Sequence, residues 1–148
     1  LVLSPSSTET IPWSTATALG AGPALATTLV LFCSHFHQVV EDAANGKRSP
    51  LVRLGTSRAA SILPFFLILI LLLELLPILN GNWPTTALLG LIGLPPGITL
   101  IRLLKKHHNH PEKIVSSKFI ALRFQALNGF GLSLGLALNP IVTSNLPN

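Results

Sequence analysis

The stretch Ser34-His35-Phe36-His37-Gln38-Val39-Val40-Glu41-Asp42, followed by Ala43-Ala44-Asn45-Gly46-Lys47-Arg48-Ser49-Pro50, concentrates the reactive residue types of this chain. Carboxylate and amide oxygens are hard donors suited to Mg²⁺, which keeps several waters and binds through one or two carboxylates plus a substrate's phosphates. Lysine and arginine just beyond them suit the phosphate oxygens themselves. Gln38, Glu41 and Asp42 as metal ligands, with Lys47 and Arg48 as anion ligands, describe a site for a magnesium-bound diphosphate whose tail lies in a membrane. The competing reading is a polar helix end at headgroup level, followed by a loop made basic by topology alone.

The spacing also carries a geometric expectation. If the preceding helix runs through this stretch at 100° per residue, Ser34, His35, His37, Gln38, Glu41 and Asp42 fall within an arc of roughly 160°. Phe36, Val39 and Val40 then occupy the opposite side. Gln38 and Asp42 stack as an i, i+4 pair, His35 lies beside Asp42, and Gly46 opens the helix into the basic loop.

The elements that must position these residues are apolar. Of 148 residues, 49% are hydrophobic and only 10% charged, against about 25% charged in a typical soluble domain. Mean hydropathy is +0.60, which argues against an ordinary soluble enzyme. A membrane-spanning helix needs about 20 mostly apolar residues, and four segments qualify: 14–40, 59–79, 83–104 and 118–138. The expected fold class is all-α, a multi-span transmembrane bundle of four helices. Pro95 and Pro96 fall inside the third span and small residues crowd the first (Ala16, Ala18, Gly20, Ala21, Gly22), where they permit close helix approach in lipid.

Charge orients the spans. Lys47, Arg48, Arg53 and Arg58 lie between the first two, and Arg102, Lys105, Lys106, Lys113 and Lys118 flank or fill the connection between the last two. Alternating spans put both groups, nine of the ten basic residues, on one face, as the positive-inside rule requires. The turn Asn80-Gly81-Asn82 and the tail 139–148 carry no charge. Residues 1–13 contain no Lys or Arg, so no targeting leader is recognisable there. The absence of methionine leads us to expect a piece of a longer product.

Other candidates favour structural roles. Glu74 is an acid within a span, a functional hypothesis by default, but it stands near the uncharged face, and an interhelical or interfacial hydrogen bond is expected. Arg123 lies within snorkelling reach of the basic face, with a cavity-facing role beside Gln125 as the alternative. His107, His108 and His110 form a solvated loop rather than a metal site, and Cys33 packs. The single cysteine excludes an internal disulfide and any multi-cysteine zinc site. Basic loops without interleaved aromatics argue against nucleic acid as a partner.

The string from His35 to Thr56 resembles the second aspartate-rich motif and following loop of UbiA-type intramembrane prenyltransferases, and within them the plant and cyanobacterial form of the 1,4-dihydroxy-2-naphthoate branch. Pro111-Glu112-Lys113-Ile114 and Lys118-Phe119-Ile120-Ala121 resemble the same branch. The resemblance covers essentially the whole chain, residues 1–148, as the C-terminal four of nine helices in one prenyltransferase domain. It implies a Mg²⁺ cofactor, transfer of a phytyl group from its diphosphate to a naphthoate acceptor with decarboxylation, phylloquinone synthesis, and a multi-pass protein of the lipid bilayer in a chloroplast membrane. Asp42 would be the last acid of the motif and a metal ligand. Lys47 and Arg48 would hold the diphosphate, with Arg53 and His35 as further substrate-binding residues. Gln38 replaces the motif's usual first aspartate, a lost charge for which either Glu41 compensates or metal binding at this motif is weaker. The first motif, Asn-Asp-x-x-Asp-x-x-x-Asp, is absent, so the 148 residues alone are expected to be inactive. The alternatives are transfer of a longer polyprenyl chain for menaquinone, or a non-catalytic membrane subunit or small transporter.

Overall fold

A computed structural model describes residues 13–138, with side chains from residue 17 onward. The readings of 1–12 and of the tail 139–148 lie outside the described residues. The described chain is helical: α1 (Trp13–Ser34), α2 (Val39–Ala44), α3 (Pro50–Leu54), α4 (Thr56–Leu79), a 3-10 segment (Thr85–Gly93), α5 (Leu94–His107), a short 3-10 turn (Pro111–Lys113) and α6 (Ser117–Ala137). Thr17–Ser34, Thr56–Leu79, Thr85–His107 and Pro111–Ala137 are each long and apolar enough to cross a membrane.

Two of these elements depart from the sequence expectation. The first helix does not run through to Val40; it ends at Ser34 and the chain turns over residues 35–38 before α2 begins. Phe36 is the reason: it is fully buried and its ring meets Phe32 edge-on at 5.9 Å, while Phe32 stacks on Phe66 of α4 at 5.6 Å. Turning the chain there buries an aromatic that a straight helix would hold on its outer side. In the third span, Pro95 and Pro96 do not interrupt a helix. They stand in the first turn of α5, where a missing N–H costs nothing, and the nine residues before them wind as 3-10 helix instead.

That tighter winding accompanies a very close approach to α6. A Cβ on Gly131 would run into the Leu89 carbonyl, and one on Gly135 into the Thr86 carbonyl. Thr86 Oγ1 donates to the Gly135 carbonyl at 2.6 Å, so the contact is bonded as well as packed. At the centre of the same interface Asn128 Nδ2 donates to Glu74 Oε2 at 2.8 Å and to the Gly90 carbonyl at 3.2 Å. Glu74 and Asn128 are both buried, and Gly22 of α1 leaves the space the Glu74 side chain fills, since a Cβ there would come within 3.0 Å of it. One acid therefore joins α1, α4, the 3-10 segment and α6, the interhelical hydrogen bond expected for it. Gln125 Nε2 adds a second tie, donating to Thr27 Oγ1 of α1 at 2.6 Å. Arg123 lines a separate cavity with Pro95, Pro96, Thr99 and Ile120, and Gln125 is not among the residues lining it.

The two basic connections meet at one end. Thr56 Oγ1, at the start of α4, donates to Asn109 Oδ1 at 2.8 Å and lies 3.2 Å from His108 Nδ1. Leu51 and Ile114, one from each connection, are fully buried in the same core as Cys33 and Leu104. The short helices α2 and α3 thus sit against the end of the bundle where the cations gather.

The central node predicts an ordering of variants. Asn128→Leu leaves a buried carboxyl without its donor and should cost about 1–3 kcal/mol, whereas Glu74→Gln keeps an acceptor for Asn128 and should cost less. Unfolding in graded denaturing detergent would measure both, and equal stability of the two variants would contradict the assignment.

Candidate functional site

The site is built by the way α2 ends. Lys47 N–H donates to the Asp42 carbonyl at 2.8 Å and Gly46 N–H to the Ala43 carbonyl at 3.1 Å, the paired bonds that close a helix around a left-handed residue. Gly46 supplies that residue, with φ +70°. The turn sends the chain back on itself, and Lys47 Nζ comes to 3.2 Å from Asp42 Oδ1.

The other side of the same carboxylate is reached from α1's exit turn. His35 Nδ1 lies 3.4 Å from Asp42 Oδ2, and the Ser49 hydroxyl, at the start of α3, faces Asp42 as well. Asp42 is only 7% exposed and Ser49 5%. Yet among the described residues Asp42 Oδ2, His35 Nδ1 and Ser49 Oγ find no well-formed hydrogen bond, and neither does the buried His37 Nδ1. Buried polar atoms are nearly always paired, so donors and acceptors gathered at one carboxylate leave room for a water or another polar ligand.

The electrostatics agree. Burial works to raise the Asp42 pKa, but the hydrogen-bonding groups of Lys47 and Ser49, the Lys47 charge and His35 outweigh it, so the carboxyl titrates below its ordinary value. Asp42 is ionised at neutral pH and held by a cation that an incoming anion can draw away.

The structure brings His35, Asp42 and Lys47 together and leaves other sequence candidates apart. Gln38 is half-buried at the N-cap of α2, its carbonyl accepting from Asp42 N–H at 2.8 Å. Glu41, Arg48 and Arg53 are exposed. Ser34 Oγ donates to the Leu31 carbonyl at 2.7 Å within its own helix. The single wet arc expected of a continuous helix is thus split by the turn at 35–38, although His35 still reaches Asp42. Sequence reasoning missed Ser49; its signal was the Ser-Pro pair that opens α3, read only as part of a loop. Away from this site, His110 lies 3.4 Å from Glu112, and among the described residues no three His, Cys, Asp or Glu side chains gather as a metal centre.

Two outcomes are expected of the site's construction. Gly46→Ala forces an alanine to positive φ, at about 1–2 kcal/mol, and should loosen the Asp42–Lys47 pair. For pH the sign is fixed by the lowered Asp42 pKa: its stabilisation is complete above the unfolded carboxylate value, about 3.9, and is lost as pH falls through the lower folded value. Amide exchange at Gly46 and Lys47 should accordingly stay slow from neutral pH to about 4 and quicken only below; quickening near pH 6 would contradict this.

Comparison with known proteins places the segment. Over 111 residues the chain is 37% identical to the 2-carboxy-1,4-naphthoquinone phytyltransferase of Synechocystis sp., covering 75% of this chain and 36% of the relative. Over 119 residues it is 43% identical to the chloroplastic 2-carboxy-1,4-naphthoquinone phytyltransferase of Arabidopsis thaliana, covering 76% of this chain and 30% of the relative. No family profile matches the chain, and no solved structure does. The chain spans about a third of the length of these curated relatives. Over that shared third it is homologous to the 2-carboxy-1,4-naphthoquinone phytyltransferases, the family to which the His35–Thr56 string pointed.

Proposed function

We propose that this chain contributes one metal-and-diphosphate half-site of a UbiA-type prenyltransferase that moves a phytyl group from its diphosphate to 1,4-dihydroxy-2-naphthoate in phylloquinone synthesis. The observation that carries the reading is the buried, ionised Asp42, paired with Lys47 over Gly46 at the basic end of an apolar bundle. The relatives' names supply the donor and acceptor classes. The name of the Arabidopsis relative and the four apolar spans support a place in a chloroplast membrane.

The residues present fit Mg²⁺ in part. Asp42 Oδ2 is buried without a hydrogen-bond partner among the described residues, and a single carboxylate with water and substrate phosphates is an ordinary magnesium shell. Gln38, whose carbonyl caps α2 four residues before Asp42, would have to turn its amide toward Asp42 to serve as a second ligand, and Glu41, exposed, is poorly placed to compensate for the missing aspartate. Bound magnesium would neutralise charge on the leaving diphosphate.

The chain's own groups divide the remaining work. Lys47, paired with Asp42 at 3.2 Å, would turn its ammonium toward the diphosphate oxygens, leaving the Asp42 carboxylate available to hold a metal. Arg48 and Arg53, exposed at the same end, draw the polyanion in, and the unpaired His35 and Ser49 donors face it once bound. Breaking the allylic C–O bond releases pyrophosphate and leaves the prenyl cation. The naphthoate ring carbon supplies the electron pair for the new C–C bond, and the ring carboxylate departs as carbon dioxide.

In membranes carrying a full-length phytyltransferase that contains this segment, Asp42→Asn should lower formation of the prenylated product at least about 100-fold. Lys47→Gln should raise KM for phytyl diphosphate about tenfold. Unchanged product from Asp42→Asn would favour the non-catalytic membrane subunit, and preference for a longer polyprenyl diphosphate would favour menaquinone-type transfer. The 148 residues alone, holding one acidic motif, should show no turnover.

A further inference from the structure

Helix α5 divides its surface by chemistry. Gly97, Leu100 and Leu104 share one side and are buried against the bundle. At 100° per residue Ile98, Ile101, Arg102, Lys105 and Lys106 fall within an arc of roughly 140° on the other side, where they line an open cavity of about 620 Å³. The order along the axis is graded: the isoleucines lie deeper in the span, then Arg102, then the two lysines at its end. Arg102 stands five residues before His107, about 7–8 Å along a helix rising 1.5 Å per residue.

The cations on this face lack internal partners. Lys47, at the same end, is held by Asp42, but no carboxylate lies within 4.0 Å of Arg102, Lys105 or Lys106 among the described residues. Three unpaired positive charges at interface depth above an apolar strip call for an occupant that is anionic at one end and apolar along the other. A free phosphate would satisfy the cations and leave Ile98, 38% exposed, uncovered. A neutral lipid would cover the isoleucines and leave the charges unanswered. Basic pockets on membrane helices hold anionic head groups in this way.

We propose that the outer face of α5 is a binding site for an anionic phospholipid. Its phosphate sits between Lys105 and Lys106, Arg102 reaches the oxygens at glycerol level, and the upper acyl chain lies along Ile101 and Ile98. The proposal is independent of the reaction assigned to Asp42.

The test uses the chain reconstituted in bilayers of phosphatidylglycerol and phosphatidylcholine, extracted in mild detergent, with retained lipid counted by native mass spectrometry. Phosphatidylglycerol should be retained over phosphatidylcholine, and the triple variant Arg102→Gln/Lys105→Gln/Lys106→Gln should reduce that preference about tenfold. A control removing three charges elsewhere on the same face, Arg58→Gln/Lys113→Gln/Lys118→Gln, should keep it. Ile98→Gln/Ile101→Gln should weaken retention, and excess inorganic phosphate should fail to displace the lipid. Equal retention of both lipids by the unaltered chain overturns the proposal without requiring any variant to fold, and leaves the face to further polypeptide. Equal loss in the control triple, or displacement by inorganic phosphate, overturns it too.

Discussion

An acid buried among apolar helices has to be answered by a polar partner before those helices can close, and in this bundle Asn128 answers Glu74. Within a bilayer no water is at hand to take the role, so the position of the partner fixes the position of the helix that carries it. The consequences can be followed outward. Glu74 needs room, and Gly22 on α1 leaves it. Asn128 also holds the Gly90 carbonyl, which draws the 3-10 segment onto α6 until only glycine fits at positions 131 and 135. Four segments are thus set around one contact, on the half of the bundle away from the cations.

With that half fixed, the opposite end has a defined geometry to build on. The start of α4 is tied to the connection after α5 through Thr56, His108 and Asn109. Phe36 locks the exit of α1 onto α4 through Phe32 and Phe66. The short helix α2 could not hold a site by itself, since six residues are too few for stable helix in water. Its stability comes from the buried side chains on either side of it, and its precision from the closing turn at Gly46. The apolar bundle and the polar site are therefore coupled through aromatic packing rather than through a hydrogen-bonded relay.

Much of this was legible in the sequence because the bilayer imposes simple rules. Four apolar lengths and two basic loops gave the number of spans and their alternation, and the isolated Glu74 announced an interhelical bond. The partner was not named in advance, although α6 offers few polar residues within its span and Asn128 is one of them. Helix breaks were harder to read. The run His35-Phe36-His37 has no proline or glycine to mark a stop; what ends α1 is the burial of Phe36, a tertiary contact that overrides local propensity. Nor does composition distinguish 3-10 from α winding at 85–93, because the tight winding accompanies glycines on a different helix. In the site, the Asn-Gly-Lys helix ending was readable, while the approach of Lys47 and Ser49 to Asp42 depended on how the chain folds back after Gly46.

The charge balance of the site follows from these same constraints. Five acids serve the whole chain; among the described residues one is committed to the central node and only Asp42 is buried at the basic end. Its negative charge is matched by Lys47, while Arg48 and Arg53 stay exposed nearby in sequence. Without a ligand the region is therefore net positive, a poor resting place for a bare cation and a good one for a polyanion.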